Sequence, residues 1–257
     1  MDIFNSTILG IIEGVSEFLP ISSTGHLILA SNLLNIPQTE FVKTFEIAIQ
    51  SGAILAVVAL YGRDLLTKRD LLTKTIVAFV PTGIIGLLLY KFVKSYLLGN
   101  SLVVIFALFF GGIALILIEM YFKGKTQKVV DPAKISYKNA LIIGVIQSIA
   151  VIPGVSRSAA TILGGMFIGL DRKTAVEFSF ILAIPTMLAA TSLDLLKTGY
   201  SYTSSEWTSL AVGTLVSFII ALITIKWLIS YVRRYDFIPF GIYRITMSML
   251  YFLFLIR

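Results

Sequence analysis

The hydrophobic residues of this chain come in long runs without charge. Four of these runs are Ile47–Tyr61, Ser95–Ile118, Phe178–Leu193 and Trp207–Ile225. In a helix, roughly 17–25 apolar residues match the ~30 Å hydrocarbon core of a bilayer. The pattern predicts an all-α integral membrane protein with six full spans, at residues 41–61, 75–93, 101–122, 174–196, 207–229 and 239–256.

Two further apolar segments, residues 6–34 and 137–169, are broken in the middle by polar, turn-forming residues that begin at Pro20 and Pro153. Each half is a helix of about 20 Å at most, which is too short to cross a bilayer alone. A break at membrane depth is tolerated where protein buries it or a wet cavity lines it. We expect each segment to be a re-entrant helix–loop–helix; the alternative is one kinked span with a long tail.

The two broken segments are related by a weak internal repeat. Residues identical at an offset of 134 include Gly10 and Gly144, Ile12 and Ile146, Ser22 and Ser156, Ile28 and Ile162, and Leu29 and Leu163. Each segment precedes three predicted spans, which makes ten helices in all. Because three crossings end on the opposite side, the second half starts from the other face, and the sequence predicts an inverted-topology repeat. We expect one membrane domain, with halves at 1–122 and 137–257 and a basic cytoplasmic linker at 123–136.

Composition agrees with a membrane location. The chain is 57% hydrophobic and 14% charged, whereas a soluble domain carries about a quarter charged residues. Helices buried in a soluble protein are therefore disfavoured. The chain has no cysteine, which excludes disulfides and thiolate chemistry.

The basic residues are unevenly distributed between the two sets of loops. One set carries 13 Lys and Arg residues, and the other set, with both termini, carries 5. By the positive-inside rule the first set is cytoplasmic, so both termini and the first broken segment belong to the outer face. The net charge of +7 then predicts contact with anionic lipid rather than with nucleic acid.

Glu13 and Glu17 lie four residues apart and therefore on one helix face, in an otherwise apolar stretch. A carboxylate at membrane depth is costly and indicates a functional site. Two such groups repel unless a cation lies between them. They indicate either a divalent-metal site that holds a substrate phosphate or a general base; the alternative is that both acids lie in water at the interface.

The first polar loop contains hydroxyls and the only histidine of the chain, His26. Its position just beyond the break favours a catalytic role over a structural one, as general acid–base or as the nucleophile that forms a phosphohistidine. Ser22 and Ser23 lie within a turn of His26 and are the candidate hydroxyl nucleophiles.

The second loop opens a helix with hydroxyls and a guanidinium, which together with free backbone N–H groups form an anion cradle. Arg157 is the only charged residue between Asn139 and Leu170. Arginine suits bidentate phosphate binding. The alternative is that Arg157 extends to the interface or pairs with Glu46 or Glu177.

Three other polar residues fall within the predicted membrane region: Glu46, Gln50 and Gln147, of which Gln147 is the repeat counterpart of Glu13. They would either support the site or join helices, and contacts between helices are the favoured role.

Three blocks of residues resemble the bacterial undecaprenyl-diphosphate phosphatase family, the bacitracin-resistance family. The blocks are EGVSEFLPISSTGH from Glu13 to His26, FEIAIQSG from Phe45 to Gly52, and PGVSRSAAT from Pro153 to Thr161. They are long and specific, the resemblance covers most of the chain, and no candidate catalytic position departs from the pattern.

The resemblance implies a metal-dependent phosphatase of the bacterial plasma membrane, with its site open to the outer face. It would convert undecaprenyl diphosphate to undecaprenyl phosphate and phosphate, recycle the lipid carrier for cell-wall peptidoglycan synthesis, and confer bacitracin resistance. It also implies that the two glutamates, the serine–histidine loop and the arginine form one site.

Within that site we expect Ser23 to be the nucleophile, with His26 or water as the alternatives. The expected catalytic residues are Ser23, His26, Glu17 and Arg157. Substrate would be bound by Ser22, Thr24, Gly154, Ser156, Arg157, Ser158 and Thr161. Glu13 and Glu17 would hold a divalent ion, magnesium or calcium.

Two rival functions are weighed against this hypothesis. A secondary transporter or flippase for a phosphate-bearing lipid would use the same inverted repeat, but transport alone needs no nucleophile. Membrane phosphatases of the acid-phosphatase type need two histidines, and this chain has one. The expected partners are undecaprenyl diphosphate and membrane lipid; a homodimer is compatible with the sequence, which leaves the oligomeric state open.

Overall fold

The computed structural model describes residues 1–97, 100–124, 129, 131–198 and 202–256. Over these residues the regular secondary structure is helical. The α-helices are α1 (Ile3–Ser16), α2 (Ser23–Leu33), α3 (Glu40–Ala48), α4 (Gln50–Thr67), α5 (Arg69–Phe92), α6 (Ser101–Phe122), α7 (Tyr137–Gln147), α8 (Arg157–Phe167), α9 (Arg172–Thr198), α10 (Ser204–Val232) and α11 (Ile238–Ile256).

Five helical stretches in the described part of the chain are long and apolar enough to cross a membrane. They are Glu40–Thr67, which joins α3 and α4, Arg69–Phe92, Ser101–Phe122, Arg172–Leu193 and Ser204–Val232. The sixth predicted span corresponds to α11, a helix of 19 residues. The all-α membrane fold expected from the hydrophobic runs is confirmed.

The two broken segments are helix–loop–helix units, as predicted. The first contains α1 and α2, of 14 and 11 residues, and the second contains α7 and α8, of 11 residues each. An 11-residue helix measures only about 16 Å. Within each segment the two helices pack against each other, α1 against α2 and α7 against α8, as the arms of a helical hairpin do, so the alternative of one kinked span is wrong for both segments.

Backbone geometry repeats at the offset of 134 that the sequence predicted. α2 and α8 begin and end at equivalent positions. Ser22 and Ser156, which precede them, have φ of 73° and 74°. Asn35 and Gly169, which follow them, also have positive φ, at 51° and 96°. Two non-glycine residues held at the same unfavourable angle show that the weak sequence repeat is a structural one.

Helix packing follows the same relation between the halves. α1 packs against α10 and its counterpart α7 packs against α5, while α4 packs against α10 and α9 against α5. α6 packs against its own counterpart, α11. This is the pattern that two equivalent halves produce. The boundaries 1–122, 123–136 and 137–257 stay a prediction, and linker residues 125–128 and 130 lie outside the described residues.

Glycine allows the closest of these helix contacts. A Cβ on Gly10 of α1 would lie 2.7 Å from the carbonyl oxygen of Gly213 in α10. Its repeat counterpart Gly144 in α7 lies still closer to the carbonyl of Ala78 in α5. Small residues let helix backbones approach in a membrane, where no hydrophobic effect drives association.

An ion pair joins three helices at one end of the bundle. Arg172 at the start of α9 donates from Nε and Nη2 to Glu119 of α6, at 2.9 and 2.6 Å. Glu119 also accepts from the backbone N–H of Phe237, just before α11, at 3.0 Å. This bidentate pair fixes the ends of α6, α9 and α11 relative to one another.

Candidate active site

The two broken loops meet in the interior. The hydroxyl of Ser158, on the first turn of α8, donates to the carbonyl of Leu19 in the first loop at 2.8 Å. Ser23 and Arg157 are the first residues of α2 and α8 and are 134 positions apart. They are therefore equivalent positions of the internal repeat. Each half of the protein therefore contributes the first turn of one short helix, α2 or α8, to the same region of the interior.

Glu17, Ser23 and Arg157 form a buried hydrogen-bonded cluster at this place. Ser23 Oγ donates to Glu17 Oε2 at 2.6 Å, and Arg157 Nη2 donates to Glu17 Oε1 at 2.8 Å. Glu17 and Ser23 each expose only 7% of their surface. The partners considered for Arg157 from the sequence were Glu46 and Glu177. In the structure its partner is Glu17 instead.

Ser179 of α9 orients the Arg157 guanidinium. Arg157 Nη1 donates to the Ser179 carbonyl at 2.9 Å and to its hydroxyl at 3.3 Å. The Ser179 hydroxyl lies 2.6 Å from that of Thr161. Arg157 Nε is buried without a partner, so one donor remains for an anion. The sequence analysis missed Ser179, since a serine in an apolar span carries no distinguishing signal.

Glu13 lies one turn before Glu17 on α1 and is fully buried. Neither of its carboxylate oxygens has a hydrogen-bond partner in the described structure. A buried carboxylate without such a partner is stable only with a bound proton or a nearby cation. Among the described residues, no group of three or more acidic, histidine or cysteine side chains converges. The residues fit an ion of the magnesium type, which takes one or two carboxylates and completes its shell with water and phosphate oxygens.

His26 lies one turn beyond Ser23 on α2, but its ring contacts other groups. Nδ1 is 2.8 Å from the carbonyl oxygen of Ser22, and Nε2 is 2.7 Å from the hydroxyl of Tyr243 in α11. In this structure its ring nitrogens are thus hydrogen-bonded to neither Ser23 nor Glu17.

The other predicted substrate-binding residues surround the two helix starts. Ser156 accepts from the N–H of Ala159 at 3.2 Å and caps α8, whereas the buried hydroxyl of Ser22 makes no such cap on α2. Gly154 has φ of 91°, and a Cβ there would lie 2.8 Å from the Val104 carbonyl, so only glycine fits. Thr24 lies on the first turn of α2.

Two of the three remaining predicted polar residues join helices. Gln147 donates to Thr82 of α5 at 2.7 Å and to Thr186 of α9 at 3.3 Å. Glu46 of α3 accepts from Ser31 of α2 at 2.7 Å. Gln50 is the first residue of α4.

The sequence analysis also missed Arg244 of α11, the largest fully buried side chain in the described part of the protein. Its guanidinium donates to five backbone carbonyls, at 2.9–3.3 Å. One belongs to Pro20 of the first loop and two belong to Gly154 and Val155 of the second; the others are those of Ala107 and Leu108 in α6. Arg244 therefore holds both loops. A lone arginine in a predicted span was the available signal.

The fold and this site define a multi-span membrane protein with an acid, a hydroxyl and a guanidinium buried where two broken helices meet. The family described as "Bacitracin resistance protein BacA" matches residues 6–250, and the chain belongs to this family. A protein of a Sulfurihydrogenibium species named undecaprenyl-diphosphatase is 53% identical over 98% of this chain and 99% of its own length. Proteins of the same name from Persephonella marina and Aquifex aeolicus are each 52% identical, over 100% and 96% of both chains.

Proposed function

We propose that this protein hydrolyses undecaprenyl diphosphate to undecaprenyl phosphate and inorganic phosphate. The relatives are named for this activity. The observation that carries the proposal is the Glu17–Ser23–Arg157 cluster, in which a buried hydroxyl already donates to a carboxylate beside a guanidinium. Nucleophile, base and anion-binding group within hydrogen-bond reach are what phosphoryl transfer to a side chain requires.

In the first step Ser23 Oγ attacks the terminal phosphorus, and its proton passes to Glu17. The bond between this phosphorus and the bridging oxygen breaks, and undecaprenyl phosphate leaves. Arg157, through its unpaired Nε and the adjacent start of α8, neutralises the oxygens of the transferred group. In the second step water attacks the phosphoserine, inorganic phosphate leaves, and Ser23 takes its proton back from Glu17.

A divalent ion, magnesium or calcium, belongs to this proposal. Glu13 and Glu17 would hold it, and the orphaned carboxylate of Glu13 supports this placement. When bound, such an ion would neutralise the charge that develops on the phosphoryl group. It also allows two carboxylates to coexist at one membrane depth.

The proposed setting is the bacterial plasma membrane, with the site open to the outer face and both termini outside. The uneven distribution of Lys and Arg between the two sets of loops supports this orientation. There the enzyme would return the lipid carrier to peptidoglycan synthesis and confer bacitracin resistance. The comparisons lend no support to the alternative of a transporter or flippase.

The test is phosphate release from a long-chain prenyl diphosphate by purified protein, with and without magnesium. Ser23→Ala should lower the rate more than roughly 100-fold, because the attacking group is lost. Ser248→Ala is the matched control, since Ser248 is also buried but donates only within its own helix. Ser23→Ala with wild-type turnover would eliminate serine as the nucleophile.

A further inference from the structure

The His26 ring is held between two groups of different hydrogen-bonding character. On one edge, Nδ1 faces the backbone carbonyl of Ser22 at 2.8 Å. On the other, Nε2 faces the phenol hydroxyl of Tyr243 at 2.7 Å, and the two rings stack with centroids 5.5 Å apart and an angle of 7°. Tyr243 is on α11, in the other half of the protein, more than 200 residues away in sequence.

These partners decide where the imidazole proton lies. A carbonyl oxygen only accepts hydrogen bonds, so Nδ1 must carry a hydrogen and donate to Ser22. In the neutral ring Nε2 is then the acceptor, and the Tyr243 hydroxyl donates to it. His26 is thereby held as the Nδ1–H tautomer, with its Nε2 lone pair directed at Tyr243.

The neighbouring charged groups are engaged elsewhere. Arg244, next to Tyr243 on α11, uses its guanidinium on five carbonyls. Glu17, at the end of α1, is bonded to Ser23 and Arg157. In the described part of the structure, Tyr243 is thus the side chain that faces Nε2 within hydrogen-bond distance.

We propose that Tyr243 is a positioning residue of the reaction, which together with the Ser22 carbonyl confines proton exchange by His26 to Nε2. This role presupposes the phosphatase chemistry proposed above. The hydroxyl of tyrosine both donates and accepts. When Nε2 takes a proton, Tyr243 turns from donor to acceptor and keeps the ring in place, whereas the Ser22 carbonyl keeps Nδ1–H throughout.

The proton in question comes from the water that hydrolyses the phosphoserine. As the water oxygen bonds to phosphorus and the bond from phosphorus to Ser23 Oγ breaks, Ser23 takes back the proton held by Glu17. The water proton passes to the Tyr243 hydroxyl oxygen while the Tyr243 hydrogen passes to His26 Nε2, and His26 later returns a proton to solvent. His26 lies one turn beyond Ser23 on the same helix, so the two side chains share a helix face. Tyr243 retains 40% exposure, so the His26–Tyr243 pair borders the outside of the protein.

The single histidine makes the proposal directly measurable. ¹⁵N-histidine labelling of the full chain in nanodiscs gives one pair of ring-nitrogen resonances. At a pH where the ring is neutral, we expect Nδ1 to be protonated and Nε2 to be of the unprotonated, hydrogen-bonded type. A wild-type Nε2–H tautomer would overturn the proposal whether or not any variant folds.

Tyr243→Phe should move the Nε2 resonance and allow both tautomers. Tyr251→Phe is the matched control, since Tyr251 is also on α11 and its hydroxyl contacts Asn32 of α2 rather than His26. Tyr251→Phe should leave both ring resonances in place. Identical histidine spectra in Tyr243→Phe and wild type would contradict the proposal.

The kinetic readout is the pH profile of single-turnover dephosphorylation. Tyr243→Phe should slow this step roughly 3- to 10-fold, the value of one hydrogen bond, and shift the profile, whereas Tyr251→Phe should do neither. Because the spectra need no turnover, an inactive wild type would refute the phosphatase function while the tautomer result still stood. A Tyr243→Phe spectrum that changes without any change in rate or profile would refute the positioning role.

Discussion

Ser23 and Arg157 occupy equivalent positions in the two halves, yet they carry different chemistry. Each is the first residue of a half-helix whose preceding serine has positive φ. The counterpart of Glu13 is Gln147, which donates hydrogen bonds to Thr82 and Thr186. The internal repeat thus brings the first turns of α2 and α8 together. Single-residue differences between the halves confine the acids Glu13 and Glu17 and the nucleophile Ser23 to the first half.

Arg157→Lys should be damaging although it keeps the charge. The guanidinium bonds Glu17 and Ser179 from two nitrogens and keeps Nε free, and an ammonium lacks that planar fork. Loss of one charged contact in a dry site costs ~2–4 kcal/mol, which is a fall in kcat/KM of roughly 30- to 1,000-fold. This fall is measured from the rates of prenyl diphosphate hydrolysis by wild type and variant. Exposed Arg63→Lys should be neutral, and near wild-type turnover in Arg157→Lys would refute the assigned role.

Glu13→Gln should change the metal requirement. The amide is nearly isosteric but neutral and is a weak ligand for magnesium. The concentration of magnesium for half-maximal activity should rise by more than roughly tenfold, since even the partners of metal ligands are worth 10- to 100-fold. Glu40→Gln, which neutralises an exposed carboxylate paired with Lys43, serves as the comparison. An unchanged magnesium titration in Glu13→Gln would remove Glu13 from the metal site.

At the scale of elements, Arg244 links α11 to both loops and to α6. Each broken loop exposes carbonyls at membrane depth, where no lipid group can satisfy them. One guanidinium serves three of them, those of Pro20, Gly154 and Val155, and two further carbonyls in α6. The loops therefore keep their irregular backbone because a side chain from a distant helix replaces the missing helical hydrogen bonds.

Arg244→Lys should lower stability. An ammonium has three donors for five carbonyls, so at least two lose their partner, at a cost of about 1–3 kcal/mol each. Thermal unfolding of the purified protein in detergent should shift down by several degrees, and hydrolysis should fall with it. Exposed Arg234→Lys controls for the general effect of the substitution. An unchanged melting temperature would show that the guanidinium does not hold the loops.

Gly111→Ala tests the same contact without touching the arginine. A Cβ at Gly111 of α6 would collide with Nη2 of Arg244, whereas a Cβ at Gly86 of α5 would meet no atom within 4 Å. Gly86→Ala should be neutral or stabilising by up to ~1 kcal/mol, since alanine favours the helix. Gly111→Ala should lower both the melting temperature and activity. Equal effects of the two variants would contradict the packing around Arg244.

Sequence reasoning reached the spans and the breaks because both depend on local properties, namely hydrophobic length and Pro or Gly at membrane depth. The family resemblance further implied that Glu17, Ser23 and Arg157 share a site. Sequence reasoning missed Ser179, Tyr243 and Arg244, which belong to no motif. Their roles arise only from packing between helices far apart in sequence, although Arg244 could have been singled out as a charge within a span.

At the scale of the whole molecule, the two halves interlock instead of lying side by side. α1 of the first half packs on α10 of the second, and α7 of the second packs on α5 of the first. Each half therefore buries the short helix of the other, which cannot span a bilayer on its own. The active site lies where the two halves meet and depends on their packing against each other, because Ser23 belongs to the first half and Arg157 to the second.

The orientation of the interlocked halves is open to a direct test, because the chain has no cysteine. Single cysteines at Ile3 and at Lys138, both exposed positions at the start of the short helices α1 and α7, should lie on opposite sides of the membrane. The bias of 13 basic residues against 5 places Ile3 outside and Lys138 in the cytoplasm. A membrane-impermeant maleimide should label Ile3→Cys in intact cells and Lys138→Cys only after permeabilisation. Labelling of both from one face would disprove the inverted repeat, and the reverse result would place the active site on the cytoplasmic side.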